Sequence, residues 1–153
     1  MSGFIAGGTP TGFTLKNDGW WPDIDGEDMR AVLRLDASIT DARLKAAALN
    51  AMLDTNHELA AFKARHQALG CAALEDVPAD QVDGQSRLLI LYRRALYCGA
   101  GAELTERYRA LDSSADGHAK ADALTPSIDE LRRDQRWAIR DLLGLPRTTV
   151  ELI

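Results

Sequence analysis

From Leu88 to Ala102 the chain reads LLILYRRALYCGAGA, apolar on nearly every side of a helix apart from Arg93 and Arg94. A surface helix carries one apolar stripe, whereas a helix that is apolar all round has to be enclosed by its neighbours. The segment therefore predicts the central helix of a bundle, running from Gln85 to about Leu111 with Asp83 as its cap. The run Cys98 to Ala102 is unusually small. Each glycine in a helix costs about 1 kcal/mol relative to alanine, so a neighbouring backbone is expected to pack closely there.

Three other helices are predicted around it. A short one over Gly26 to Leu35 is capped by Asp25, with Met29, Val32 and Leu33 on one face. A long one starts after Thr40, with Asp41 in the turn where the helix dipole favours an acid. Its stripe is Leu49, Met52, Leu53, Leu59, Phe62 and Leu69, and Gly70 stops it. The last helix opens at Thr125 and Pro126, buries Ile128, Leu131, Ala138, Ile139 and Leu142, and closes at Gly144 before Pro146. Between the long helices, CAALEDVPADQVDG carries four acids and no base, and predicts at most a helical turn near Pro78. The expected fold is all-α: an antiparallel bundle of three long helices and one short one over residues 20–143, with an extended arm at 1–19 and an extended tail at 144–153.

Composition narrows the function. A net charge of −5 lacks the basic footprint of a nucleic-acid binder. Cys71 and Cys98 are far apart and in no ligand spacing, which predicts a reducing compartment and no disulfide. No apolar run approaches a membrane span, and the N-terminus lacks the order of a signal peptide, so a cytoplasmic product is expected. His57, His66 and His118 share no ligand spacing; His57 reads as solvated and His66 as a boundary residue. No glycine loop joins a strand to a helix, and Ser113 and Ser114 near Asp112 and His118 are what any polar loop contains. Neither catalysis nor a cofactor or metal is expected.

The remaining features concern contacts. Trp137 lies opposite the buried stripe of the last helix, among Glu130, Asp134 and Asp141. It reads either as an interface anchor or as a ring covered by the arm or by Trp20 and Trp21. Arg93, Arg94, Arg107 and Arg109 give the central helix a positive balance, read as intrachain pairs or as a seam between identical subunits. The tail ends in Arg147, Thr148, Thr149, Val150, Glu151, Leu152 and Ile153, mostly strand-forming residues with no sheet to join. It is frayed, folded back, or added as a strand to a partner. Asp112, Asp116 and Asp122 make an acidic loop.

The ordered set PDID, VPAD, DG, ERYR, KAD and SIDELRRDQRWA, within segments that begin at WWPDID, closely resembles the head completion protein of tailed temperate myophages, often called the L protein. The likeness covers about Trp20 to Ile153. It implies a structural protein without enzymatic activity. Such a protein joins the filled capsid after DNA packaging, shields the DNA from nucleases, and forms a ring of twelve identical subunits beneath the portal. The tail would then reach the portal protein, Trp137 and the four arginines would meet neighbouring subunits, and the acidic loop would face the lumen or an adjoining ring. A tail-side completion or terminator protein is a further implied partner. Packaged DNA would pass through the lumen without sequence-specific contact. The implied location is the head–tail joint of the virion, with assembly in the host cytoplasm. A small acidic DNA-binding regulator and a helical enzyme are the competing classes; the charge opposes the first, and the lack of convergent titratable groups the second.

Overall fold

The computed structural model describes residues 12–111 and 127–147, the side chains of 108–111 excepted. Their elements in order are β1 (Thr14–Leu15), β2 (Ile24–Asp25), α1 (Gly26–Val32), α2 (Asp41–Glu58), α3 (Ala60–Ala68), a 3-10 turn (Leu74–Asp76), β3 (Gln81–Val82), β4 (Gln85–Ser86), α4 (Arg87–Leu111) and α5 (Ile128–Leu142). The fold is mainly helical, but two small antiparallel hairpins, β1–β2 and β3–β4, correct the all-α expectation. Five helices stand among the described residues where three long and one short were expected.

α4 lies between α2 and α5, as its all-round apolarity demands. Both neighbours run antiparallel to it: Asn50 and Asn56 of α2 bond Glu103 and Tyr92 respectively, while Arg132 and Asp141 of α5 meet Glu106 and Arg87. The small run on α4 is where they come closest. A Cβ on Gly99 would sit 2.6 Å from Gln135 Nε2 and 3.3 Å from the Ala51 methyl, and one on Gly101 would sit 3.0 Å from Leu33 Cδ2. Side chains from three elements fill the space left by the glycines.

The inward face of α2 is correspondingly small. It consists of Leu44, Ala47, Ala48, Ala51, Met52 and Thr55, whereas Leu49 and Leu53 of the predicted stripe are 40% and 69% exposed. Large residues facing Gly99 would hold the helices apart, so alanines occupy the contact and the leucines point away. The predicted single helix to Gly70 bends at Leu59 (φ −95°, ψ 8°), dividing α2 from α3. No glycine or proline marks the bend. Leu59 is fully buried and Phe62 nearly so, while Leu69 is 73% exposed. The expected stop is present, with Gly70 at φ +91°.

The helix starts are mostly side-chain capped. Asp25 accepts from the backbone N–H of Glu27 and Asp28, and Thr40 from that of Arg43, both as the sequence indicates. In α1, Met29 is buried, but Val32 is exposed. At α4 the expected cap is displaced: Asp83 and Gly84, at φ 50° and 70°, form the two-residue loop of the β3–β4 hairpin. Both residues need positive φ there, which is why Asp-Gly is a hairpin signal. The Ser86 hydroxyl instead accepts from Leu88 N–H. At α5 the cap is Ser127, in a reciprocal box: Glu130 N–H donates to Ser127 Oγ at 3.2 Å, and Ser127 N–H to Glu130 Oε2 at 2.7 Å. Thr125 and Pro126 lie outside the described residues.

Residues 12–19, read from sequence as the end of an arm, belong to the folded body. Thr14 and Leu15 pair with Asp25 and Ile24, and Leu15 is buried. Asp18 Oδ1 accepts from the N–H of Trp20 and of Trp21, turning both rings inward, and Lys63 holds its other oxygen at 2.6 Å. Trp21 stacks on Tyr92, with centroids 4.8 Å apart and planes 10° apart, and Trp20 meets Trp21 edge-on at 4.6 Å. Trp20 Nε1 donates to Cys71 O, so no polar atom of the indole is wasted.

A closed polar ring completes this corner. Asn17 Nδ2 donates to Tyr92 Oη at 2.8 Å, Tyr92 donates to Asn56 Oδ1 at 2.6 Å, and Asn56 Nδ2 donates to Asn17 Oδ1 at 2.9 Å. Three polar groups from the first hairpin loop, α4 and α2 thereby satisfy one another. Burial pushes the Tyr92 phenol well above its ordinary value, so it stays a donor. Tyr92→Phe keeps the stacking surface but leaves both asparagines short of a partner, and should destabilise the fold by about 1–3 kcal/mol. Urea unfolding of the two proteins checks this; an unchanged midpoint would remove the ring from the stabilising contacts.

Candidate functional site

The charged surface built by α4, α5 and the chain after α5 is the candidate site. α5 ends at Leu142, and Gly144 takes φ +70° with its N–H on Asp141 O. Leu145 N–H donates to Arg140 O at 2.9 Å, and Arg140 Nε reaches Pro146 O at 2.9 Å. The chain is thereby turned back along the helix it has just left.

That turn delivers Arg147 to Trp137. The Arg147 guanidinium lies 4.8 Å from the indole centroid, and the Arg133 guanidinium 4.6 Å from it. Arg147 also grips Asp141 in a two-pronged contact, Nε to Oδ1 at 3.1 Å and Nη2 to Oδ2. Arg133 bonds Asp134 at 3.0 Å, and Arg94 approaches the same carboxylate at 3.6 Å. Asp141 is also tied to α4 through its carbonyl, which accepts from Arg87 at 3.1 Å. Trp20 and Trp21 lie in the core and do not cover Trp137; two arginines of its own chain stack on it instead.

Three of the four arginines predicted on the central helix have partners within the chain. Arg93 donates to Gln85 Oε1 at 2.7 Å, Arg94 pairs with Asp134, and Arg107 pairs with Glu103 one helical turn back at 3.0 Å. Such exposed pairs contribute little to stability. The side chain of Arg109 and residues Asp112, Asp116, Asp122, Thr148, Thr149, Val150, Glu151, Leu152 and Ile153 lie outside the described residues. On the opposite flank, α2, α4 and α5 enclose a groove of about 400 Å³ with Gly99 and Gln135 at its floor and Leu53, Glu103, Arg107 and Arg132 among its lining. Four of its charged groups pair with one another, Arg107 with Glu103 and Arg132 with Glu106 at 3.1 Å.

Sequence reasoning singled out Trp137 but missed Arg133 and the inward turn of Arg147. The signal was faint: an arginine four residues before the tryptophan is one turn away on a helix, but Arg147 arrives only through Gly144 and Pro146.

Among the described residues no group of three or more His, Cys, Asp or Glu could hold a metal, and no helix is long and apolar enough to cross a membrane. Both cysteines are free and half-buried. Burial raises the Cys98 thiol pKa, with the nearby Asp134 charge adding to it, which makes a poor nucleophile. His57 is exposed, whereas His66 lies 4.4 Å from the Phe62 ring with Nδ1 buried and unpartnered.

Curated relatives are structural proteins of phage heads. The "Head completion/stabilization protein" of Escherichia phage P2 is 43% identical over 139 residues, 91% of this chain and 82% of the relative. The "Probable head completion/stabilization protein" of Haemophilus phage HP1 is 24% identical over 139 residues, 91% of each chain. Residues 15–153 match the model of the phage head completion protein (GPL) family, and the chain belongs to that family. No solved structure matches it.

Two titrations test these contacts. The hydrogen bond from Arg147, opposed by partial burial, holds the Asp141 carboxyl below its ordinary value of 3.8. The pair is therefore intact above that value and lost as pH falls through the lowered one. A carboxyl ¹³C titration should put the Asp141 midpoint below 3.8 and Arg147→Ala should raise it; a midpoint unmoved by the substitution would mean the pair does not form in solution. Burial, then the Arg65 charge, lowers the His66 pKa from its ordinary 6.5. Its contribution is present above 6.5 and declines as pH falls below it. Thermal melts between about pH 7.5 and 5 should show that decline, and His66→Phe should flatten it.

Proposed function

We propose that the protein completes and stabilises the DNA-filled phage head as a connector subunit, joining identical copies in a ring beneath the portal and closing the head ahead of tail attachment. The observation that carries this reading is the family match through to Ile153, which takes in the whole C-terminal tail as well as the bundle. A tail rich in strand-forming residues finds no long sheet to join among the described residues, whose two hairpins have strands of two residues each. Its partner in this reading is the portal protein, contacted by residues 148–153. Arg93, Arg94, Arg107 and Arg109 are proposed to exchange their exposed intrachain partners for those of a neighbouring copy. Exposed pairs are weak enough for such exchange. Asp112, Asp116 and Asp122 are proposed to face the lumen or the adjoining ring, where acids do not hold DNA that later has to leave. The reading places the protein at the head–tail joint of the virion, facing a tail-side completion or terminator protein, after assembly in the host cytoplasm.

Deleting residues 148–153 should leave the helical circular dichroism and melting temperature unchanged and abolish co-sedimentation with assembled portal. The intact chain, monomeric alone, should appear with portal at a fixed multiple by native mass spectrometry. Undiminished co-sedimentation of the truncated chain would overturn the tail's assignment.

A further inference from the structure

Trp137 reads from sequence as an interface anchor or as a ring covered within its own chain, and two guanidinium groups of its own chain lie over its indole. One of them, Arg147, is the last described residue before the tail. We propose that Trp137 and Asp141 are positioning residues for the C-terminal tail: a clasp that seizes Arg147 and so fixes the point from which the chain continues into residues 148–153. This rests on the proposed function in one respect, that the tail is the part that meets the portal.

The clasp is over-determined. Arg147 is held in the plane of its guanidinium by both Asp141 oxygens and against its face by Trp137, with Arg133 on the same indole. Arginine suits this because its planar fork can pair and stack at once, which a lysine ammonium cannot. The backbone between the helix and the clasp is held separately, by Gly144 N–H on Asp141 O, Leu145 N–H on Arg140 O and Arg140 Nε on Pro146 O. The Arg87 contact to Asp141 O then references the whole assembly to the central helix. The clasp sits half-exposed at the surface, where such a pair adds little to stability and its effect falls on the chain beyond it. A segment whose root is fixed loses less freedom on docking, so the clasp should appear as partner affinity more than as fold stability.

The test uses the full chain and assembled portal as the probe. Trp137→Ala and Arg147→Lys should each weaken portal binding by about three- to tenfold, the range expected from losing one stacked, paired cation. Neither should move the melting midpoint of the bundle by more than a degree or two. Trp137→Phe, which retains a smaller stacking face, should recover most of the affinity. In ¹⁵N relaxation of the unbound chain, the Arg147 Nε should be as rigid as the α5 backbone, and Trp137→Ala should release it. Wild-type affinity in Trp137→Ala while deletion of residues 148–153 abolishes binding would overturn the clasp and leave the portal reading standing. A freely moving Arg147 Nε in the wild-type chain would also overturn it. If the deletion itself binds normally, the tail reading fails, and positioning for the portal falls with it.

Discussion

The phenol of Tyr92 is where three parts of the chain become one body. It projects from the central helix, stacks its ring on Trp21, and closes a hydrogen-bonded circuit with Asn17 of the first hairpin loop and Asn56 of α2. A buried polar circuit is stable only when every member is satisfied, so this one specifies geometry as well as adding stability. Asn17 has to be in place for Asn56 to be satisfied, and with Asn17 comes the turn at Asp18 that sends both tryptophans inward. The N-terminal hairpin is thereby part of the core and not an appendage to it.

The other half of the bundle rests on smallness. Gly99 and Gly101 open the face of α4, Ala51 enters from one side, and Gln135 and Leu131 from the other. This explains both which features were legible in the sequence and which were not. α4 could be read almost to the residue, because an all-round apolar helix has one place to go, and the caps at Asp25 and Thr40 and the stops at Gly70 and Gly144 obey local rules that tertiary contacts rarely override. The register of α2 was misread because hydrophobic pattern weighs Leu49 and Leu53 above Ala47, Ala48 and Ala51, while the contact with a glycine face reverses that order. Asp83–Gly84 held a genuine hairpin signal, obscured by an acid's equal fitness as a helix cap. The Asn17–Tyr92–Asn56 circuit joins positions far apart in sequence and had no local sign at all. Of the candidate site, Trp137 stood out as an aromatic among acids, and Arg133 lies one helical turn before it, but Arg147 depends on a turn that only the folded chain shows.

Membership of the phage head completion family fits a molecule whose chemistry is spent on contacts. Among the described residues the titratable groups pair along exposed faces, without converging on an apolar cleft. The groups whose pKa values burial raises are structural: Tyr92 in its circuit, Tyr97 on Asp28, and Cys98 beside Asp134. The ion pairs on those faces are exposed and individually weak.

The capping box at the start of α5 has a consequence for how that helix is placed. Because Ser127 and Glu130 satisfy each other's backbone donors within four residues, α5 carries its own initiation signal. The first turn of α5 is thereby fixed by the same four residues that begin it, and Gln135 meets Gly99 from a defined register.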